Sequence, residues 1–195
     1  MSRTPVFRRT TAVSLGLLAV AAIAIGAAPE TAEFSPYVAK DGAIARPVDY
    51  RDKFTYLGSY AVATKPNQPV DEMHNVYARP EDVQAFRKDG KFPDGAVLVK
   101  DVTSVGSEKL TTGAASWSTD VKLWFVMIKD AKGRFPGNDL WGDGWGWAMY
   151  YPDEPTKNVA TDYATDCKTC HIPAKKDDWV YVRGYPVLHA DEKKK

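Results

Sequence analysis

Cysteine is almost missing from this chain: Cys167 and Cys170 are the only two in 195 residues. That scarcity excludes a small secreted scaffold stapled by several disulfides. Histidine is nearly as rare. Besides His171 there are only His74 and His189, both distant in sequence, so the closely spaced ligands of a zinc site are lacking. No internal repeat is found. Charge of either sign is not in excess, with 26 Lys+Arg against 25 Asp+Glu. Removal of residues 1–28 would take away three Arg and no acid, leaving 23 against 25 and a formal charge of −2. A chain so close to neutral makes no general case for nucleic acid or anionic membrane partners.

One apolar run stands out, the small and apolar stretch Ala12 to Ala28 behind Arg3, Arg8 and Arg9. The charged n-region, apolar h-region and small residues Gly26, Ala27 and Ala28 read as an export signal over 1–28. Pro29 disfavours cleavage directly after Ala28. The run is short and Ala-rich for a membrane anchor, so a cleaved signal and no stable membrane span are expected. Arg8-Arg9 invites a twin-arginine reading that the flanks do not support. The expected location is the periplasm. Residues 29–47 read as a flexible lead-in, 48–190 as one domain, and 191–195 as a charged tail. The tail, Lys193-Lys194-Lys195, is a solvated end or a docking point for an acidic partner.

The two cysteines fall in Cys167-Lys168-Thr169-Cys170-His171, the C-x-x-C-H pattern of covalent haem c attachment. Each thiol can add to one haem vinyl, and the following His is carried to the iron as axial ligand. One copy of the motif implies one haem. Two other readings compete. A thiol–disulfide centre would sit in a βαβ pattern, which is not found here. Zinc would need further ligands close by.

About 165 residues would remain after cleavage, enough for one core. Their pattern is α+β and β-rich. Asp49 can cap a short helix through Phe54. Strands are expected at Leu57 to Ala63, His74 to Ala78, Ala96 to Val105, Lys122 to Lys129 and Gly144 to Tyr151. Pro80 suits the first turn of a helix that Gly90 ends. Lys122 to Lys129 is apolar on both parities, as in a strand covered on both faces. Gly144 to Tyr151 has one bulky face (Trp145, Trp147, Met149) and one nearly bare face (Gly144, Gly146, Ala148). The bare face either meets a flat group or another subunit, or is a Gly-rich bend in an aromatic core. Thr161 or Asp162 can cap the C-terminal helix that carries the motif, with Cys167 and His171 on one side and Pro173 ending it. Trp179 to Tyr185 is expected as a closing strand or extended segment.

Several pieces in order resemble the cytochrome P-460 family, which includes the cytochromes c-prime-beta. They are Tyr50-Arg51, His74-Asn-Val-Tyr77, Gly90-Lys-Phe-Pro-Asp-Gly95, Val97-Leu-Val-Lys100, Trp145-Gly-Trp147, the late C-x-x-C-H, and Gly184-Tyr-Pro-Val-Leu188. The resemblance implies a single domain with an antiparallel sheet, a few helices and a C-terminal haem-attachment helix, commonly as a homodimer. It implies a five-coordinate iron with His171 as its one protein ligand. The open position would take small nitrogen ligands such as nitric oxide or hydroxylamine, and electrons would pass to a partner cytochrome.

The same resemblance marks three further positions. In members that oxidise hydroxylamine, a Lys is covalently joined to a haem meso carbon, and Lys100 is the candidate here. The competing reading is a surface Lys paired with Asp101 or solvent. Those members carry a distal carboxylate where this chain has Phe125, which would make a dry face over the iron if it is not simple core packing. That difference favours gas binding or electron transfer over an enzyme oxidising hydroxylamine or nitric oxide. His74 is placed to donate to a bound ligand or shuttle protons, or else is a structural His. Met73, Met127, Met149 and His189 are formal candidates for a sixth ligand.

Overall fold

The computed structural model describes residues 34–189, together with Met1. The rest of the expected signal, the start of the lead-in and the charged tail lie outside the described residues.

Hydrophobic alternation builds one six-stranded antiparallel sheet. Its strands are β1 (Thr55–Val62), β2 (Glu72–Ala78), β3 (Val97–Leu110), β4 (Gly113–Lys129), β5 (Trp141–Gly142) and β6 (Trp145–Tyr150). They lie in the order β1-β2-β3-β4-β6-β5. Helix α1 (Tyr50–Lys53) precedes β1, and α2 (Pro80–Asp89) joins β2 to β3. Pro80 opens α2 and Gly90 closes it in the left-handed conformation, with its N–H on the Phe86 carbonyl. Asp49 precedes α1 without capping it; its carboxylate instead pairs with Lys53 at 2.5 Å.

Because side chains alternate across a strand, the sheet separates two cores. Val97, Val99, Val126, Ile128 and Tyr150 point to the back. Leu98, Met127, Trp145 and Trp147 point to the front, where α2 and the C-terminal segment cover them. The residues of the lead-in from 34 onward are packed, not loose. Ile44 and Pro47 are buried, Val38 bridges Ile44, and the Tyr150 hydroxyl donates to the Ile44 carbonyl at 2.6 Å. The back of the sheet needs that cover, since it is apolar too.

Strand β4 is covered on both faces at its C-terminal end, yet it starts nine residues before the expected Lys122. With β3 it forms a long ribbon closed at Leu110↔Gly113. The bare face of β6 is filled from within: a side chain at Gly146 would meet the Trp141 indole at 2.6 Å. It is an aromatic packing face, and the bulky parity of β6 turns toward the front core.

The C-terminal segment is helical but irregular. A π-helical turn (Ala164–Lys168) runs into α3 (Thr169–His171), and a 3-10 turn (Ile172–Asp177) follows, so Pro173 changes the helix type without ending it. The Asp162 carboxylate accepts from the Ala164 N–H at 2.7 Å, and Asp166 accepts from the Thr161 N–H at 2.8 Å. Trp179 to Tyr185 is not a strand. Asp178 and Trp179 are both left-handed (φ 58 and 67) and turn the chain sharply. Short 3-10 turns follow at Val182–Gly184 and Pro186–His189. Val180, Tyr185 and Leu188 are buried on the front core, so the segment packs there without strand pairing. This segment lies so close to β1 that a side chain at Gly58 would strike the Gly184 carbonyl at 2.6 Å.

Candidate functional site

Between the front of the sheet and the C-terminal segment lies a cavity of about 470 Å³. The register dictates which residues reach it. Lys100 on β3 is opposite Val76 on β2 and Phe125 on β4, and Phe125 is opposite Met149 on β6. One step nearer the cavity rim, Val102 is opposite His74 and Leu123. Cys167, Cys170 and His171 line the facing wall. The structure thus brings Cys167, Cys170, His171, Lys100, Phe125 and His74 to one cavity.

His171 is held with care. Its Nδ1–H donates to the Trp179 carbonyl at 2.7 Å, which leaves Nε2 as the ring nitrogen with a lone pair. The edge of the imidazole meets Trp147, centroids 4.8 Å apart, and Trp147 stacks on Tyr163. Burial pushes the His171 pKa down, so the ring is kept neutral. The strained turn that supplies the Trp179 carbonyl is clamped from the sheet. Lys129 Nζ reaches Asp178 Oδ1 at 2.6 Å, and Trp145 Nε1 donates to the Asp178 carbonyl at 3.0 Å. Two consecutive left-handed non-glycine residues cost free energy that such contacts offset. Nothing in the sequence marks this turn except the pair Asp177-Asp178 before a Trp.

Cys167 is buried and Cys170 exposed, and burial pushes the Cys167 thiol up to about 11. A thiol–disulfide centre needs the opposite shift, toward thiolate at neutral pH. Tyr181 donates to the Cys170 carbonyl at 2.5 Å and fixes this end of the helix.

Lys100 makes no hydrogen bond or ion pair within the described residues. The expected alternative, pairing with Asp101, does not occur: Asp101 points to the back, where Tyr50, Arg51 and Asn75 donate to it. Burial pushes the Lys100 amine down from its ordinary pKa, and its Nζ sits 4.3 Å from the centre of the Phe125 ring. Met127 and Met149 lie on the cavity side of the sheet; Met127 lines the cavity, as Met73, Met149 and His189 do not. His189 Nε2 meets the Val182 carbonyl at 3.1 Å.

Tyr60, Tyr181 and Glu72 also line the cavity and escaped the sequence reading. Glu72, two before His74 and therefore on the same face of β2, lines the rim. Its Oε2 lies 3.0 Å from His74 Nε2, and its Oε1 takes the Lys122 ammonium.

Among the described residues no group of three or more His, Cys, Asp or Glu gathers as a metal-binding cluster. A metal in this cavity would have to arrive with ligands of its own. The apolar walls, two thiols on one helical turn and one free imidazole nitrogen suit a haem, which brings four nitrogens and needs an axial fifth.

A β-rich protein with a deep apolar cavity and a histidine of fixed tautomer at its wall has the features needed to hold a haem. The cytochrome P460 family model matches residues 47–182, and the chain belongs to that family. No curated protein matches the chain. None of the described helices is long and apolar enough to cross a membrane.

Proposed function

We propose that this is an exported, periplasmic cytochrome with a single haem c, binding small nitrogen ligands such as nitric oxide and transferring electrons. Cys167 and Cys170 would hold the haem by thioether bonds. His171 would ligate the iron through Nε2, with Trp179, Trp147 and Tyr163 keeping that ligand rigid. The observation that carries the reading is the His171–Trp179 hydrogen bond. It commits Nδ1 to the backbone and leaves Nε2 for a partner that the described residues do not supply. Bound haem would supply the redox couple and an open coordination position. Phe125, Val102 and Leu123 would keep water from that position, and Lys100 and His74 would be the polar groups within reach.

A second reading rests on Lys100. An amine that is unpaired, desolvated and tilted toward neutrality is a nucleophile, as a covalent link to the haem edge requires. In that case the protein oxidises hydroxylamine or nitric oxide and passes the electrons to a partner cytochrome. In either case the working form is a homodimer.

The test is expression with the haem-attachment machinery, followed by intact mass, peptide mapping and the optical spectrum of the reduced form. One haem held only on Cys167 and Cys170 with a five-coordinate spectrum supports ligand binding and electron transfer. A haem peptide also joined to the segment of Lys100 supports the enzyme. Protein without haem refutes both and returns the cysteines to thiol chemistry.

A further inference from the structure

The wall that faces His171 carries more than an apolar surface. Val62 and Glu72 face each other across β1 and β2, as do Tyr60 and His74, and all four line the cavity. Glu72 and His74 bond side chain to side chain, and both are largely buried, at 15% and 24% exposure. Burial of a carboxylate beside a neutral imidazole would be costly without this bond. Lys122 from β4 completes it by neutralising the other carboxylate oxygen. With Nε2–H donated to Glu72, the His74 tautomer is set, and Nδ1 is left with a lone pair and no partner among the described residues.

We propose that Glu72 and His74 act as a carboxylate–imidazole dyad that takes a proton from a ligand held in the cavity. The inference rests on the haem-and-nitrogen-ligand reading above and deepens it by naming the residues that would take the proton of any nitrogen ligand carrying an N–H or O–H. In the step, the ligand's N–H or O–H bond breaks heterolytically, its electron pair stays on the ligand, and the proton goes to His74 Nδ1. The imidazolium so formed lies against the Glu72 carboxylate and loses its proton to water at the rim. His74 is the acceptor and Glu72 the positioning residue. Phe125 therefore does not make the cavity devoid of a base; the base comes from β2 instead of β4. Burial lowers the His74 pKa while Glu72 opposes that shift, so the ring is neutral and ready to accept at neutral pH.

Other ionisable groups face the same space. They are Tyr60 on β1 and Lys100 on β3, with Asp166, Cys167, Cys170, His171, Tyr181 and Tyr185 from the C-terminal segment, while Lys122 on β4 is outside the lining and reaches Glu72. Of these, Lys100 and Lys122 favour neutral His74 and Glu72 favours the charged ring. The test must separate His74 from all of them.

Carbon monoxide bound to the reduced holoprotein is the probe, because its C–O stretching frequency responds to nearby charge and needs no turnover. The parent, His74→Gln and Glu72→Gln proteins are compared from pH 5 to pH 9 by infrared spectroscopy. The expected result is a single titration of the stretch in the parent, absent in H74Q and moved down by about one pH unit in E72Q. A flat stretch in the parent, or a titration that survives H74Q, overturns the dyad while leaving the haem reading intact. A protein that carries no haem, or carries haem and forms no carbonyl adduct, overturns both. Adduct formation in each variant also shows that it has folded.

Discussion

Lys129→Met tests whether the turn under His171 is held from the sheet. The ion pair Lys129–Asp178 spans 2.6 Å with side chains only 12% and 28% exposed, so it is neither a surface pair nor a fully buried one. Exposed pairs contribute about 0–1 kcal/mol, and breaking fully buried ones costs about 3–5 kcal/mol. About 2–3 kcal/mol is expected here. Met retains most of the stem and a sulfur for the Trp145 face that the ammonium now covers at 4.8 Å, so packing changes little. For a domain of this size the loss lowers the melting temperature by roughly 4–12 °C. The effect should not stop at stability. Asp178 loses the clamp on its left-handed conformation, the Trp179 carbonyl drifts from His171 Nδ1, and the axial imidazole becomes a weaker donor. In the reduced holoprotein the iron–histidine stretch should fall, by resonance Raman spectroscopy. Asp178→Asn, which tolerates the left-handed backbone but loses the charge, should give a smaller shift of the same sign. A K129M protein that melts with the parent and keeps its iron–histidine stretch would refute the argument, and Trp145 alone would then hold the turn.

Lys100→Met should melt at or above the temperature of the parent, because it removes a desolvated amine with no hydrogen-bond or ion-pair partner among the described residues; a loss of stability by calorimetry would show that its contact with the Phe125 ring outweighs the desolvation. Stability should fall as the pH drops below about 6.5, since burial holds the His74 pKa below that of a free imidazole and the unfolded chain binds the proton first. That contribution is complete above the unfolded value and is lost as pH falls from there through the folded value, so His74→Gln should lessen the fall in melting temperature between pH 7.5 and pH 5, with His171 accounting for what remains. Gly142→Ala should cost about 1–3 kcal/mol in denaturant unfolding, because the new methyl would meet the Tyr163 ring at 2.2 Å and push it from Trp147. Phe125→Ala should speed carbon monoxide binding in flash photolysis if Phe125 screens the open coordination position, and leave it unchanged if that ring only packs against Lys100.

What could be read before the structure was what is local. Helix α2 was legible because Pro80 and Gly90 punctuate it, and β6 because its parity is so uneven. The C-x-x-C-H motif was legible because its chemistry is written in five consecutive residues. The β3–β4 ribbon was not, since residues 107 to 120 are mostly exposed and carry no apolar face to betray a strand. Pairing alone makes it a strand, and pairing is a property of two segments. The packed lead-in was missed for a related reason: its small and polar composition looks solvated until the back of the sheet needs a cover.

The turn at Asp178 and Trp179 shows where such reading must fail. Each residue there is left-handed against its own preference, and the compensation comes from Lys129 and Trp145, more than thirty residues earlier. A local conflict resolved by distant contacts is what a functional constraint looks like, since folding alone would have favoured a glycine. Glu72 is the opposite case. Its two-residue spacing from His74 places both on one face of a strand, a signal present in the sequence from the start. What the sequence leaves open is which face of β2 borders the cavity. The register sets Val102 beside both His74 and Leu123, so β2 and β4 address the same rim from either side of β3. A base can be lost from one of those strands and supplied by the other without any change in the fold.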